Sequence, residues 1–367
     1  MATMSSLVCG SVASAASYPC TMQDTTAFEQ FAGRVRAHVD ARLGWWLDHR
    51  VASAHTRGAD VGAVADAVRQ LVLRGGKRMR AVLLVAAYEA CDGKGGLEAV
   101  GPAAAALELL QAYLLAHDDW MDGDVLRRGG PSIPAMMRAR FGSLGDAASV
   151  LAGDLAAAWA LQSMLEIDLP AERLARATRE LGRVEEDVVH GQLLDICGTA
   201  GDSRDVEAAY ALKTASYTVR SPIVMGACLA GAGDTQVTAL CAFAEPLGIA
   251  FQLRDDLLGT FGNTAAMGKP AGGDLRRGKR TVLVVEAMRD PDTKDWLKRI
   301  LGQTDATDDE LAAAAARLET SGARLRVEDR IATLVRQSES ALDRACVSPS
   351  GAALLRDAVV ALTRRDR

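Results

Sequence analysis

Four aspartates, Asp118, Asp119, Asp122 and Asp124, lie within about two helical turns at the end of an apolar segment. That segment, 103–117, is rich in Ala and Leu, two of the best helix formers. Carboxylates at a helix C-terminus repel one another and face the negative end of the helix dipole, so they need cations. Mg²⁺ takes oxygen ligands and keeps room for phosphate oxygens, so it suits this cluster. For this motif alone, a solvated acidic helix end is an equally good interpretation.

A second pair of aspartates, Asp255 and Asp256, follows another apolar segment with a helical pattern, 240–252. Two acidic helix ends in one helical chain indicate carboxylates that face each other across a cavity and hold metals between them. Such a cavity would bind a diphosphate group through its metals. The second pair therefore favours the metal interpretation of the first.

Basic residues accompany both acidic motifs. Lys77 and Arg80 precede an apolar helix, where cations are unfavourable unless an anion binds at the helix N-terminus. Arg127 and Arg128 follow the first acidic cluster, and their guanidinium groups suit bidentate phosphate contacts, although they could simply balance the aspartates. Further candidates for phosphate contacts, each weak alone, are Lys213, Thr214, Lys269 and Lys279.

We expect helices to position these residues. Hydrophobic residues make up 49% of the 367-residue chain, and they are mostly helix formers such as Ala and Leu, whereas aromatic residues make up only 4%. We predict an all-α fold: a disordered tail over 1–24, then one helical domain over 25–367. The predicted helices are roughly 25–49, 60–74, 78–91, 101–123, 143–166, 171–198, 204–213, 215–231, 234–260, 278–290, 306–345 with a break, and 350–364.

Composition excludes several classes of protein. A formal net charge of -5 argues against nucleic-acid binding. No stretch reaches about 18 uninterrupted apolar residues, so no membrane span is expected. The seven cysteines form no CxxC pair and predict buried free thiols in a reducing compartment. Because the N-terminal segment also lacks the basic residues of a targeting peptide, we expect a cytoplasmic protein.

Six ordered groups of motifs resemble those of the trans-isoprenyl diphosphate synthases, the polyprenyl synthetase family. The similarity extends over most of the chain and is greatest to the short-chain members, the farnesyl and geranylgeranyl diphosphate synthases. The motifs are GGKRMR at 75–80, DDWMD at 118–122 with RRGGP at 127–131, GQLLD at 191–195, KTASY at 213–217, FQLRDD at 251–256 and GKPAGGDLRRGKRT at 268–281.

The resemblance implies a homodimeric prenyltransferase with a helical bundle around a central apolar cavity and three Mg²⁺ ions. It would join isopentenyl diphosphate head-to-tail to dimethylallyl, geranyl or farnesyl diphosphate. The implied metal-site residues are Asp118, Asp119, Asp122, Asp255 and Asp256, with Asp195 in support. The implied contacts to the allylic diphosphate are Arg127, Lys213, Gln252 and Lys269, with Thr214 and Gln252 directed toward the allylic cation. The implied contacts to isopentenyl diphosphate are Lys77, Arg80, Gln111 and Arg128.

The chain departs from the family pattern at Gly259, where a third aspartate usually follows Asp255 by one helical turn. We expect this change to lower the affinity for the third Mg²⁺. Two alternatives remain. A class I terpene cyclase shares the aspartate-rich helix end, but its Asn/Ser/Glu motif is missing from the sequence. A non-catalytic partner subunit would have no reason to keep the repelling aspartates.

Product length is expected to depend on Tyr113 and the smaller Leu114 beside it. Tyr113 lies five residues before Asp118, which places it about 7.5 Å deeper along a helix. It is the first large ring that a growing prenyl chain would meet. A single ring favours the twenty-carbon geranylgeranyl product over the fifteen-carbon farnesyl product. Alternatively, Tyr113 packs against a neighbouring helix and never meets the prenyl chain.

Overall fold

A computed structural model describes residues 24–198, 201–262, 273–303 and 305–364. Its regular structure is almost entirely helical, which confirms the predicted all-α fold. The N-terminal helices are α1 (Asp24–His55), α2 (Ala59–Leu73), α3 (Met79–Ala90), α4 (Gly96–Asp122), α5 (Ile133–Phe141), α6 (Gly145–Met164), α7 (Ala171–Cys197) and α8 (Ser203–Tyr210). The later helices are α9 (Ser221–Ala230), α10 (Asp234–Phe261), α11 (Gly273–Arg276), α12 (Val282–Ala287), α13 (Pro291–Ile300), α14 (Asp308–Thr320), α15 (Ala323–Leu342) and α16 (Pro349–Thr363).

Four further elements complete the description. A 3₁₀ turn, Gly142–Leu144, joins α5 to α6, and a π-helical segment, Ala211–Arg220, joins α8 to α9. The strands β1 (Leu126–Arg127) and β2 (Gly130–Pro131) form a small antiparallel hairpin directly after α4.

Three short helices, α5, α11 and α13, were not predicted, although α5 and α13 each begin with a recognisable signal. The hydroxyl of Ser132 accepts a hydrogen bond from the third residue of α5, and the carboxylate of Asp290 does the same for α13. The predicted helix 278–290 was wrong in its extent. The chain turns at Gly278 with φ 72°, and α12 starts only after Thr281, whose hydroxyl caps it.

Helix α4 is a central core element, with nearly all its side chains between Val100 and Leu110 buried. It packs chiefly on α6, α3 and α1. Two apolar cores exist among the described residues, and α10 contributes to both. Phe243 and Leu247 belong to the first core with α4, whereas Leu253 and Leu257 belong to the second with α8, α12, α14 and α15.

The π-helical segment lies against α7 at an unusually short distance. A Cβ atom on Gly191 would lie 2.3 Å from the backbone nitrogen of Lys213, so only glycine fits there. Wide π-turns are rare and occur frequently at functional sites. This contact positions Lys213, Thr214 and Tyr217 beside α4 and α7.

Three helical stretches, Gly96–Asp122, Ile133–Met164 and Asp234–Phe261, are long and apolar enough to cross a membrane by length and composition alone. In the first stretch, 72% of the most apolar window is buried inside the protein, so packing in the core accounts for its apolar composition. The absence of a membrane span, the cytoplasmic location and the single domain over 25–367 stay predictions.

The five described cysteines are free thiols, as predicted. The expectation of burial holds for Cys228; Cys91 and Cys241 are partly buried, and it was wrong for Cys197 and Cys346, which are exposed. Residues 1–23 of the predicted tail lie outside the described residues, and Asp24 begins α1.

Candidate active site

A polar cavity of about 470 Å³ lies between the C-terminal ends of α4 and α10. Asp118 and Asp122 line it from α4, and Asp255 lines it from α10, so the two acidic motifs face one space. Among the described residues, no three His, Cys, Asp or Glu side chains form a metal cage. An ion here would complete its coordination with water or phosphate oxygens, as Mg²⁺ usually does.

Asp119 is absent from the lining of this cavity, and its expected place among the metal-site residues stays a prediction. Its side chain is fully buried, and its Oδ1 accepts a hydrogen bond from Arg127 Nε at 2.7 Å. Burial raises the pKa of Asp119 against the opposing effect of Arg127. Arg127 also binds Asp124 at 3.0 Å. This guanidinium pins the end of α4 to the following hairpin and also lines the polar cavity, so its expected contact with the allylic diphosphate stays a prediction.

Asp256 lines the cavity but is only 4% exposed, and its hydrogen bonds anchor α10. It accepts hydrogen bonds from the Tyr210 hydroxyl and from the Gln252 amide, the latter at 2.7 Å. Burial, followed by the charge of Asp274, raises the pKa of Asp256 to about 7. Gln252 lines the cavity in an orientation that Asp256 determines, and Asp255 is the exposed carboxylate of the pair.

Lysines connect the acidic groups across the cavity. Lys213 Nζ lies 2.5 Å from Asp195 Oδ2 and 3.4 Å from Asp118 Oδ1, and Lys279 Nζ lies 3.8 Å from Asp195. Burial opposes ionisation of Asp195, but Lys279 and Lys213 outweigh it and lower the pKa of the carboxyl group. Lys269, the other lysine expected here, lies outside the described residues.

The wall that includes the N-terminus of α3 carries the group predicted to bind isopentenyl diphosphate, because Lys77, Arg80, Gln111 and Arg128 all line the same polar cavity. Arg80 donates to the Thr218 hydroxyl at 2.9 Å, and its guanidinium lies 4.3 Å from the centre of the Tyr217 ring. Burial lowers the pKa of Arg128.

Arg78, which was not predicted as a functional residue, holds this wall in place. It has a left-handed backbone conformation with φ 50°, and its buried guanidinium binds Glu108 at 2.8 Å and Asp40 at 2.9 Å. It also donates to the Val72 carbonyl at 2.7 Å. Arg78 thus ties the segment containing Lys77 to α1, α2 and α4.

An apolar cavity of about 340 Å³ adjoins the polar one and shares Asp118, Lys213 and Thr214 with it. Tyr113 and Leu114 line it from α4, so both chain-length candidates face this space. The Tyr113 ring packs edge-on against His117, with 4.8 Å between the ring centres.

Two charged cavity residues, Asp274 and Arg277, were overlooked as site candidates, and Asp124 of the first acidic cluster also lines the cavity. Arg277 donates to Asp274 Oδ1 at 2.9 Å and lies 3.5 Å from Asp124 Oδ1. Asp274 and Arg277 belong to the glycine-rich segment after the second acidic motif. Their charge was a usable signal there, but the contact with Asp124 depends on the fold.

An all-α fold with facing carboxylates, two groups of cations and an adjoining apolar cavity defines an enzyme that acts on prenyl diphosphates. The chain belongs to the polyprenyl synthetase family, whose sequence profile matches residues 62–318. This finding confirms the resemblance of the motifs and identifies the chain as a prenyltransferase.

Individual relatives agree with this assignment. The chain is 32% identical to the short chain isoprenyl diphosphate synthase of Methanocaldococcus jannaschii, covering 70% of this chain and 76% of that protein. It is 36% identical to the (2E,6E)-farnesyl diphosphate synthase of Mycobacterium tuberculosis, covering 68% of each chain. The solved structure of the Corynebacterium glutamicum geranylgeranyl pyrophosphate synthase, complexed with isoprenyl diphosphate and magnesium, is similar in fold. Its TM-score is 0.84 at 34% identity, over 93% of this chain and 99% of that one.

Proposed function

We propose that this enzyme condenses isopentenyl diphosphate with an allylic diphosphate and releases a prenyl diphosphate of twenty or fifteen carbons. The observation that carries the proposal is the junction of the two cavities at Asp118, Lys213 and Thr214. A diphosphate held among the carboxylates and lysines would direct its hydrocarbon chain into the apolar cavity. The two cavities together would therefore bind both parts of one prenyl diphosphate, its charged group and its hydrocarbon chain.

The carboxylates fit divalent metal ions. Asp118 Oδ1 is buried and makes no hydrogen bond, and its nearest ion-pair partner is Lys213 at 3.4 Å. Asp118 and Asp122 on one side and Asp255 on the other offer the oxygen donors that Mg²⁺ prefers. Three ions per site is the number that the family resemblance implies. Bound Mg²⁺ would neutralise the charge of the departing diphosphate.

The side chains of the protein account for the remaining steps. Lys213 and Lys279 stabilise the leaving diphosphate as its bond to the allylic C1 breaks and the electron pair leaves with it. Lys77, Arg80 and Arg128 hold isopentenyl diphosphate on the other wall, so that its double bond can attack C1. The released diphosphate then accepts the proton that the coupled product loses. The apolar cavity keeps water away from the allylic cation.

Product length follows from the position of Tyr113. Its ring lies in the wall of the apolar cavity, below Asp118, and Leu109 and Leu110, about one helical turn further down, are fully or almost fully buried. We favour the geranylgeranyl product over the farnesyl product, because a single aromatic ring, that of Tyr113, leaves more space for the prenyl chain than two adjacent aromatic rings would.

A homodimer is the proposed assembly. Val189, Leu193 and Ile196 lie on one face of α7, line the apolar cavity, and are each more than half exposed. A second copy that covered this face would close the open side of the cavity. Light scattering of the purified protein measures the mass, and a monomer at working concentration would contradict the proposal.

Purified chain alone, incubated with Mg²⁺ and labelled isopentenyl diphosphate plus one allylic diphosphate at a time, tests the reaction. Mass spectrometry of the products is expected to detect a prenyl diphosphate lengthened by five-carbon units. Cyclic hydrocarbons formed without isopentenyl diphosphate would indicate a terpene cyclase. No turnover until another subunit is added would indicate a non-catalytic partner.

A further inference from the structure

The hairpin formed by β1 and β2 is too small to hold its own shape. Each strand has two residues, and the turn between them consists of Arg128 and Gly129. Both turn residues have a positive φ, 51° for Arg128 and 72° for Gly129. Such a turn suits the twist of a hairpin, but the left-handed conformation is unfavourable for any residue with a Cβ atom. A two-stranded hairpin is marginally stable alone, so Arg128 needs contacts from outside the hairpin to stay in this conformation.

Arg74, the residue that follows the end of α2, supplies such contacts to both strands. Its Nη1 atom donates hydrogen bonds to the Arg127 carbonyl at 3.1 Å and to the Pro131 carbonyl at 2.6 Å. The two carbonyls belong to opposite strands, one before the turn and one after it. One guanidinium group therefore holds together the two strands that flank Arg128.

The same guanidinium accounts for the glycine at position 130. A Cβ atom on Gly130 would lie 2.7 Å from Cζ of Arg74, which is closer than real Cβ contacts come. Gly130 is not among the described glycines with a positive φ, so its backbone conformation does not require glycine. The close approach of Arg74 is therefore the physical reason for the missing side chain.

The hairpin that Arg74 holds places Arg128 beside the segment that carries Lys77. A Cβ atom on Gly76 would lie 3.8 Å from Cζ of Arg128, so this guanidinium lies over bare backbone next to Lys77. Lys77 and Arg128 line the same polar cavity, and Arg74 is absent from its lining. Arg74 is thus covalently linked to one phosphate-binding segment and hydrogen-bonded to the other.

We propose that Arg74 is a positioning residue for isopentenyl diphosphate: it holds the hairpin so that Arg128 stays close enough to Lys77 for both to bind one diphosphate group. This inference rests on the proposed function, because it deepens the account of that binding site. Arg74 itself touches no substrate and acts through Arg128. The allylic diphosphate, held by Lys213 and Lys279, should be little affected by its loss.

Calorimetric titration with isopentenyl diphosphate alone, which allows no turnover, tests the proposal. Arg128→Met removes a charged contact and should weaken binding about tenfold to a hundredfold. Arg74→Met should weaken binding about tenfold, because Arg128 is displaced but keeps its charge. Arg74→Met added to Arg128→Met should cause no further loss. Unchanged binding in Arg74→Met, or fully additive losses in the double variant, would overturn the proposal.

The matched control is Arg69→Met. Arg69 lies on the same helix, α2, and pairs with Asp48 at 2.7 Å on the surface. This variant should bind isopentenyl diphosphate like the wild type, and a similar loss there would mean that any removed charge has the same effect. In steady-state kinetics, Arg74→Met should raise the KM for isopentenyl diphosphate about tenfold and leave the KM for the allylic diphosphate unchanged. An equal rise in both KM values would indicate general damage to the fold and contradict a positioning role.

Gly130→Ala gives an independent measurement if Arg74→Met fails to fold. Its methyl group should displace the Arg74 guanidinium and leave every charge in place, so isopentenyl diphosphate should bind about tenfold more weakly. Where Arg74→Met folds, adding Gly130→Ala should weaken binding no further. Wild-type affinity in Gly130→Ala would refute the proposal. Failure of the proposed function is distinguishable, since a wild-type protein that binds isopentenyl diphosphate but forms no prenyl product leaves these results intact.

Discussion

The buried pair between Arg78 and Glu108 allows a quantitative prediction. Both side chains are only 1% exposed and lie 2.8 Å apart. Arg78→Met keeps an unbranched chain but leaves Glu108 charged and buried without its partner. Loss of one partner of a buried ion pair costs about 3–5 kcal/mol of the free energy of unfolding.

That loss is large enough to measure by calorimetry. An unfolding entropy of about 2.1 cal/mol/K per residue gives roughly 0.8 kcal/mol/K for this chain, so the midpoint should fall by about 4–6 °C. Because Arg78 anchors the segment that carries Lys77 and Arg80, the KM for isopentenyl diphosphate should also rise. The KM for the allylic diphosphate should change little.

Two control variants separate the causes. Arg69→Met removes a surface arginine that pairs with Asp48 at 2.7 Å, and such a pair contributes only about 0–1 kcal/mol. Arg78→Met combined with Glu108→Leu removes the unpaired charge, so stability should largely recover while the raised KM persists. A midpoint for Arg78→Met equal to that of Arg69→Met would refute the reasoning.

Three further predictions concern the cavities. Asp118→Ala or Asp122→Ala should lower turnover by orders of magnitude and leave the fold intact, because a metal ligand is lost; near-wild-type rates at limiting Mg²⁺ would contradict this. Lys77→Ala or Arg80→Ala should raise the KM for isopentenyl diphosphate about tenfold to a hundredfold, at about 1.5–3 kcal/mol per charged hydrogen bond. Equal effects on both substrates would mean that the pockets are assigned wrongly. Tyr113→Ala should lengthen the products seen by mass spectrometry, since the cavity would deepen by about one helical turn, 5.4 Å. Lower stability with unchanged products would instead indicate a packing role.

The long helices could be predicted because their apolar content and their glycine boundaries are local properties. The short helices α5 and α13 were missed even though Ser132 and Asp290 are ordinary caps, since short segments carry little periodic signal. The π-helical turn at 211–220 could not be predicted. It depends on the close packing of Gly191 against Lys213, which is a tertiary contact.

For the site, the motifs indicated which side chains share a cavity, but not which of them are already paired. Asp119 and Asp122 look equivalent in the sequence, yet one is fully buried against Arg127 and the other lines the cavity. Arg78 looks like one more cation beside Lys77, although its partners come from α1 and α4. These differences arise from long-range packing, which spacing along the chain does not encode.

The participation of α10 in both apolar cores has a consequence for cooperative unfolding. Asp118 extends from a helix of the first core, whereas Asp255 lies between Leu253 and Leu257 of the second. A ligand that bridges these aspartates adds its binding free energy to the cohesion between the cores, about 2.7 kcal/mol at a hundredfold excess over its Kd. Amide hydrogen exchange in α12, α14 and α15 should therefore slow when diphosphate and metal bind, although those helices contribute few groups to the site.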